Sequence, residues 1–174
     1  CQKPVSSIVP GVMAQTGMES MEIVRGITKE TGPDVIIAVD ALAARGTRRL
    51  NRTIQITDTG INPGSGVGNH RHALNLESIG IPVIAVGIPT VVDAATIVID
   101  TMSNLLDAMS QAEQMRRIGS SYEKLDIMEK YELVRELLTP QLNTMYVTTK
   151  DIDEAVKQLS FMVSEGINLA LQED

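Results

Sequence analysis

Residues 34–40 read DVIIAVD, an unbroken apolar run closed at each end by an aspartate. Uninterrupted apolar runs of this length are typical of strands covered on both faces, as in a parallel sheet. A second run, VIAVG at 83–87, follows the turn residues GIP, and TIQIT at 53–57 predicts a further extended segment. We expect these segments to be strands of one sheet, with the first strand ending at Asp40.

Helical patterns alternate with these strands. Apolar residues recur at helical spacing over 19–30, where Gly32-Pro33 ends the pattern, and further helices are predicted at 91–117, at 122–138 after a Ser121 cap, and at the end of the chain to Leu171. This alternation predicts an α/β domain whose mainly parallel sheet is flanked by helices, with a helical C-terminal third. At 174 residues, the chain is expected to form a single domain over 1–174.

The composition argues against several classes of partner. The net charge of −7 is unfavourable for nucleic acid, because phosphate contacts need clustered Lys and Arg, and the basic clusters RGTRR at 45–49 and HRH at 70–72 are short. No apolar run is long enough to span a bilayer, so no membrane partner is expected. Cys1 is the single cysteine, which excludes an internal disulfide and fits a reducing, cytoplasmic compartment.

Asp40 is the sharpest candidate for chemistry. Sites in open parallel sheets form at the carboxyl ends of strands, where Asp40 is expected to lie. Two carboxylates at such a site could share a proton and activate water for amide hydrolysis, and Asp58, at the end of the next strand, is the in-chain candidate for the partner. The other interpretation is that Asp40 only caps a turn over 41–45. Asp93 is expected to start a helix.

The glycine-rich stretch DTGINPGSGVGN at 58–69 allows several interpretations. Its DTG tripeptide matches the catalytic loop of pepsin-like proteases, but those enzymes are all-β. Its alternate glycines resemble a phosphate-binding loop, but the dinucleotide fingerprint needs glycine where Asn69 stands, and Gly-Lys-Ser/Thr is missing. Because glycines permit positive φ and close backbone approach, the stretch is either a flexible turn or a loop that lines a cleft.

His70 and His72 are the only histidines in the chain. No cysteine or third histidine supports a zinc site. We therefore expect a solvated basic loop and no metal.

Four long motifs, in this order, resemble one family: VSSIVPGVMAQTGMES at 5–20, DVIIAVDALAAR at 34–45, TIQITDTGINPGSGVGN at 53–69 and GIPVIAVGIPTVVDAATI at 80–97. They are similar to the spore germination proteases, endopeptidases that degrade small acid-soluble, DNA-protecting proteins when bacterial spores germinate. Residues 122–171 match more loosely. The resemblance implies a fold similar to that of hydrogenase maturation proteases, an atypical aspartic-type mechanism, a zymogen, a homotetramer, and a location in the cytoplasm of the spore core.

The resemblance also implies roles for particular residues. Asp40 matches one of two aspartates proposed to be catalytic in the family. The second belongs to the family's N-terminal half, which nothing here matches, so the chain is expected to be the C-terminal portion of a longer protease and inactive alone. The expected substrate-binding residues are Arg45, Asp58, Gly64, Ser65, Gly66, Gly68 and Asn69. We expect the backbone N–H groups of the glycine-rich loop to hold a substrate backbone or a developing oxyanion.

No cofactor is expected for this activity. The alternative function is a non-catalytic α/β domain that binds a small molecule or nucleotide through GSGVGN at 64–69.

Overall fold

The computed structural model describes residues 4–11, 13–64, 72–109 and 122–172. The helices include α1 (Met13–Thr16), α2 (Ser20–Thr31), α3 (Leu76–Ile79), α4 (Ala94–Met109), α5 (Ile127–Leu137), α6 (Pro140–Asn143) and α7 (Ile152–Leu171). The strands include β1 (Ile36–Ala44), β2 (Gln55–Thr57), β3 (Val83–Asp93) and β4 (Tyr146–Val147), with a 3₁₀ turn at Thr47–Arg49. The protein is therefore mixed α/β, as the sequence predicts.

Strand β3 lies between β1 and β2 in the sheet, and β4 also pairs with β3. Strands β2 and β4 both run antiparallel to β3, with Ile56 of β2 opposite Val86 of β3. At the start of β1, the N–H of Ile36 donates to the carbonyl of Pro82 at 2.9 Å. These two antiparallel pairs do not confirm the mainly parallel sheet that the sequence predicts. Strands β2 and β4 have only three and two residues, and a pattern of apolar residues carries no information on the direction of such strands.

The central strand confirms one sequence prediction, and its neighbour corrects another. Val83, Ala85, Val86 and Ile88 are buried and Ile84 is 37% exposed, so the run at 83–87 is a largely covered strand. Strand β1 is less covered, since the Val39 side chain is 53% exposed, and it continues past Asp40 to Ala44. The predicted end at Asp40 is therefore wrong: Ala-Leu-Ala-Ala at 41–44 suits a helix or turn locally, but pairing in the sheet overrides that local preference.

Helix α2 forms where the sequence predicts it, because both of its ends are encoded locally. Glu19 is the N-cap, and the side chain of Glu22 accepts a hydrogen bond from the Glu19 N–H at 2.9 Å, which completes a capping box. Gly32 adopts φ 54° after the last turn, and its N–H donates to Thr28 at 2.9 Å. Glycine suits this left-handed position, so the helix ends there.

The C-terminal third is largely helical, as predicted, with shifted boundaries. Helix α4 starts at Ala94 because β3 extends to Asp93. Helix α5 begins at Ile127, capped by Asp126, whose carboxylate accepts from the Glu129 N–H at 2.8 Å. The predicted cap Ser121 lies outside the described residues.

The chain divides into two compact units. Unit 1 comprises Cys1–Leu42, Ile54–Ile88 and Asp151–Asp174, and its buried residues include Leu74, Val83, Ala85 and Leu159. Unit 2 comprises Ala43–Thr53 and Pro89–Lys150, and its buried residues include Ala44, Val92, Ala95 and Val134. The single domain expected over 1–174 stays a prediction. Across the part of the chain that the structure describes, no helix combines the length and apolar character needed to cross a membrane.

Candidate functional site

Asp40 lies in the middle of β1 and is half-buried. Its Oδ1 accepts a hydrogen bond from the N–H of Ala41 at 2.9 Å. Because successive side chains of a strand point to opposite faces, Asp40 and Val39 face opposite sides of β1. The expected turn over 41–45 does not form, so the interpretation of Asp40 as its cap is wrong. Asp40 is a carboxylate presented by a strand.

An open groove of about 310 Å³ lies on the Val39 side of unit 1. It is lined by Val39, Ile88 and the α7 residues Ser160, Val163, Ser164, Ile167 and Asn168. This lining contains no titratable side chain, and Asp40 is not part of it. The groove therefore lacks the chemistry expected of a catalytic site.

Asp58 follows β2, as the sequence predicts, and is exposed. Strand β3 lies between β1 and β2, so Asp40 in β1 and Asp58 just after β2 are placed by strands that are not neighbours. Strands two positions apart in a sheet are separated by roughly 10 Å. The sheet therefore does not bring these two carboxylates into direct contact.

The base of the glycine-rich loop is closed by backbone hydrogen bonds between Ile61 and Leu74, at 2.9 and 2.8 Å. Gly60 and Gly64 adopt φ 83° and 74°, the positive values that the glycine-rich sequence predicts. The remaining expected substrate-binding residues of this loop, Ser65, Gly66, Gly68 and Asn69, lie outside the described residues. The ligand loop of the alternative nucleotide-binding function lies there too.

His72 is exposed and paired with a carboxylate. Its Nδ1 lies 2.8 Å from Oε2 of Glu19, and its backbone N–H donates to the same oxygen at 3.3 Å. The hydrogen bond to Glu19 and its negative charge raise the pKa of His72 above 6.5. Together these contacts attach the chain after the glycine-rich loop to the N-terminus of α2. His70 lies outside the described residues.

Arg45 follows β1 directly, and its side chain is exposed. The turn behind it is held by Asp100 of α4, whose Oδ2 accepts from the N–H of Thr47 at 2.6 Å and from its hydroxyl at 2.7 Å. Sequence reasoning missed Asp100. The contact spans 53 positions, and a lone aspartate inside a helical pattern gives no signal of its partner.

Asp93 is the last residue of β3 and directly precedes α4, in keeping with its predicted place at a helix start, and its Oδ1 accepts from the Thr96 N–H at 2.6 Å. Its Oδ2 accepts from the hydroxyl of Tyr131 at 3.1 Å. Burial, followed by the negative charge of Asp93, raises the pKa of Tyr131 above 10. Asp93 therefore joins the start of α4 to α5 and has a structural role. Within the described ranges, no three His, Cys, Asp or Glu side chains are grouped so that they could hold a metal ion.

The family that this chain matches is a class of proteases. A family model described as germination protease matches residues 1–121, well over half of the chain. The chain therefore belongs to the germination protease family.

Curated relatives agree with this assignment. The chain is 47% identical over 173 residues to a germination protease of Caldanaerobacter subterraneus, with 98% of this chain and 53% of the relative covered. It is 46% identical over 171 residues to one of Clostridium perfringens, with the same coverage. It is 38% identical over 202 residues to a germination protease of Bacillus subtilis, with 98% of this chain and 55% of the relative covered. The chain spans about half the length of the curated relatives it matches.

Proposed function

We propose that this chain forms part of an endopeptidase that cleaves small acid-soluble spore proteins during germination. The observation that carries the proposal is the family membership, with germination proteases matched along 98% of the chain. Asp40 is the proposed catalytic carboxylate, because it is half-buried on a strand and lies in the DVIIAVDALAAR motif.

The proposed chemistry is the addition of water to a peptide carbonyl. One carboxylate takes a proton from water as the water oxygen attacks the carbonyl carbon, and a second, protonated carboxyl group donates its proton to the carbonyl oxygen. When the tetrahedral intermediate collapses, the C–N bond breaks, the C=O bond re-forms, the hydroxyl proton returns to the second carboxylate, and the proton taken from water passes to the leaving amine nitrogen. The separation of Asp40 and Asp58 by β3 favours a partner carboxylate from outside these 174 residues, with Asp58 as the fallback. Backbone N–H groups of the loop at 64–69 would bind the substrate backbone or the oxyanion, and Arg45 and Asp58 would bind substrate side chains.

The wider setting is proposed from the family resemblance. It comprises an aspartic-type zymogen in the spore core, a homotetramer, and a fold similar to that of hydrogenase maturation proteases. Large apolar side chains on the surface of unit 1 support assembly: Ile56, Phe161 and Leu169 are 70%, 67% and 67% exposed. Where such side chains form a contiguous patch, the patch marks a contact with another chain.

The experiment is a cleavage assay with a purified small acid-soluble spore protein. The chain is assayed alone and after addition of the half of a germination protease that it does not match, supplied as a separate polypeptide. In whichever state is active, Asp40→Asn should lower the rate about 100-fold or more, since a general base is lost. The matched control is Asp34→Asn, the same substitution at the exposed aspartate before β1, which should retain the rate.

The outcomes separate the parts of the proposal. Cleavage only after addition of the second polypeptide supports a shared site, whereas cleavage by the chain alone makes Asp58 the partner. An undiminished rate in a folded Asp40→Asn variant removes Asp40 from catalysis. If neither state cleaves although both polypeptides are folded, the proposed protease function is wrong.

A further inference from the structure

Residues 45–52, RGTRRLNR, concentrate positive charge in an acidic protein, and we call this segment the arginine turn. It carries four arginines in eight positions, Arg45, Arg48, Arg49 and Arg52, while the chain as a whole has a net charge of −7. Neither Asp nor Glu occurs between residues 41 and 57. All four arginine side chains are exposed. The sequence shows the cluster but not how its backbone is held.

The four guanidinium groups are not neutralised by ion pairs within the described ranges. Asp100 of α4 is an acid in contact with the arginine turn, and its Oδ2 is occupied by the N–H and hydroxyl of Thr47. Four exposed arginines in a segment that contains no acidic residue leave an excess of positive charge at the surface. These groups are therefore available to a ligand.

The backbone of the arginine turn is held at both ends. Thr47 is bound to Asp100 of α4, and the N–H of Asn51 donates to the carbonyl of Pro89 at 2.8 Å. The Asn51 side chain donates from Nδ2 to Thr149 Oγ1 at 3.0 Å. Asn51 adopts φ 55°, a left-handed conformation that asparagine tolerates better than most residues. Between these anchors, hydrogen bonds of 3.0 to 3.2 Å close successive turns from Gly46 to Arg52.

We propose that the arginine turn is a docking surface for an acidic segment of a partner polypeptide. Guanidinium groups match carboxylates in a forked, two-bond geometry, and a fixed backbone lowers the entropy that is lost when a ligand is bound. A nucleic acid fits less well, because its extended phosphate charge would be repelled by the rest of an acidic protein. That the partner is the protease substrate rests on the proposed function, whereas binding of an acidic segment to the arginine turn does not rest on it.

The test is direct binding, without cleavage, measured by fluorescence anisotropy with a labelled glutamate-rich decapeptide. Three probes are compared at low salt: this peptide, its glutamine-rich counterpart, and a single-stranded oligonucleotide of equal charge. The double variant R48E/R49E should bind the acidic peptide roughly tenfold more weakly, since each exposed ion pair contributes a small free energy. The matched control R25E/K29E makes the same change in net charge on the exposed face of α2 and should bind like the unaltered chain.

The salt dependence gives a second criterion. Binding should weaken as salt is raised to 0.15 M, where the screening length falls to about 8 Å. If R48E/R49E is poorly folded, R48Q/R49Q removes the same cations without adding acids and should also weaken binding. Equal affinity for the acidic and neutral peptides, equal loss in R25E/K29E, or tighter binding of the oligonucleotide would each overturn the proposal. If the chain binds the acidic peptide but cleaves no spore protein, the docking surface stands and only its link to proteolysis is removed.

Discussion

One carboxylate oxygen of Asp100 accepts two hydrogen bonds from Thr47, one from its N–H at 2.6 Å and one from its hydroxyl at 2.7 Å. The contact joins the first turn after β1 to α4 inside unit 2. A charged acceptor that satisfies two donors of one residue fixes both the backbone and the side chain of that residue. The direction in which the arginine turn leaves β1 therefore depends on a residue 53 positions away.

We expect Asp100→Ala to lower the free energy of unfolding by about 2–3 kcal/mol, because hydrogen bonds to charged groups contribute about 1.5–3 kcal/mol each and this site is only partly buried. Asp100→Asn keeps an acceptor oxygen and should cost about half as much. Urea unfolding of both variants measures the difference. An Ala variant as stable as the unaltered chain would show that water replaces Asp100 without loss.

Helix α2 and strand β3 could be predicted from the sequence because their information is local. Glu19, Glu22 and Gly32 encode the two ends of α2 within the chain segment itself. The apolar run at 83–87 marks β3 because most of its side chains, on both faces, are buried. Such elements need no knowledge of distant residues.

The rest of the candidate site depends on contacts between distant segments. Asp40 could be singled out from the sequence by its place after an apolar run. The continuation of β1 to Ala44 could not be predicted, because it depends on pairing within the sheet. The separation of Asp58 from Asp40 depends on strand order, which no local pattern contains. The pairs Thr47–Asp100 and His72–Glu19 each span 53 positions, so spacing rules based on helices or strands could not detect them.

Substitution by alanine is expected to have opposite effects on the free energy of unfolding at Gly60 and at Gly46. Gly60 has φ 83°, and an added Cβ would meet the carbonyl oxygen of Leu74 and lie 2.8 Å from Cα of Asn75. We expect Gly60→Ala to lower the free energy of unfolding by about 2 kcal/mol or more, because left-handed strain and the clash act together. Loss of this close approach would also disturb the Ile61–Leu74 bridge below the glycine-rich loop.

Gly46→Ala is the matched control. Gly46 has φ 170°, an extended conformation open to any residue, and the nearest atom to an added Cβ is Oδ2 of Asp100 at 4.0 Å. The substitution should be neutral or raise the free energy of unfolding by about 0.4–1 kcal/mol, since alanine restricts the unfolded chain. Thermal and urea unfolding of the two variants compare them directly. Equal losses at the two positions would contradict the assignment of strain to Gly60.

The His72–Glu19 pair predicts a pH dependence whose sign is fixed by the raised pKa of His72. A histidine whose folded pKa exceeds 6.5 binds its proton more tightly in the folded chain than in the unfolded chain. The stability that it contributes is therefore fully present below pH 6.5 and is lost as the pH rises through the folded pKa. In a proton NMR titration of the imidazole, His72 should titrate above 6.5, and His70→Gln assigns the remaining signal.

Two neutralising variants identify the cause of this shift. Glu19→Gln keeps an acceptor at the N-cap of α2 but removes the charge beside the imidazole, so the pKa of His72 should fall towards 6.5. Glu22→Gln removes a weaker influence on the same pKa and should lower it less. If Glu22→Gln has the larger effect, or if Glu19→Gln leaves the His72 titration unchanged, Glu19 does not hold the chain that follows the glycine-rich loop at the start of α2.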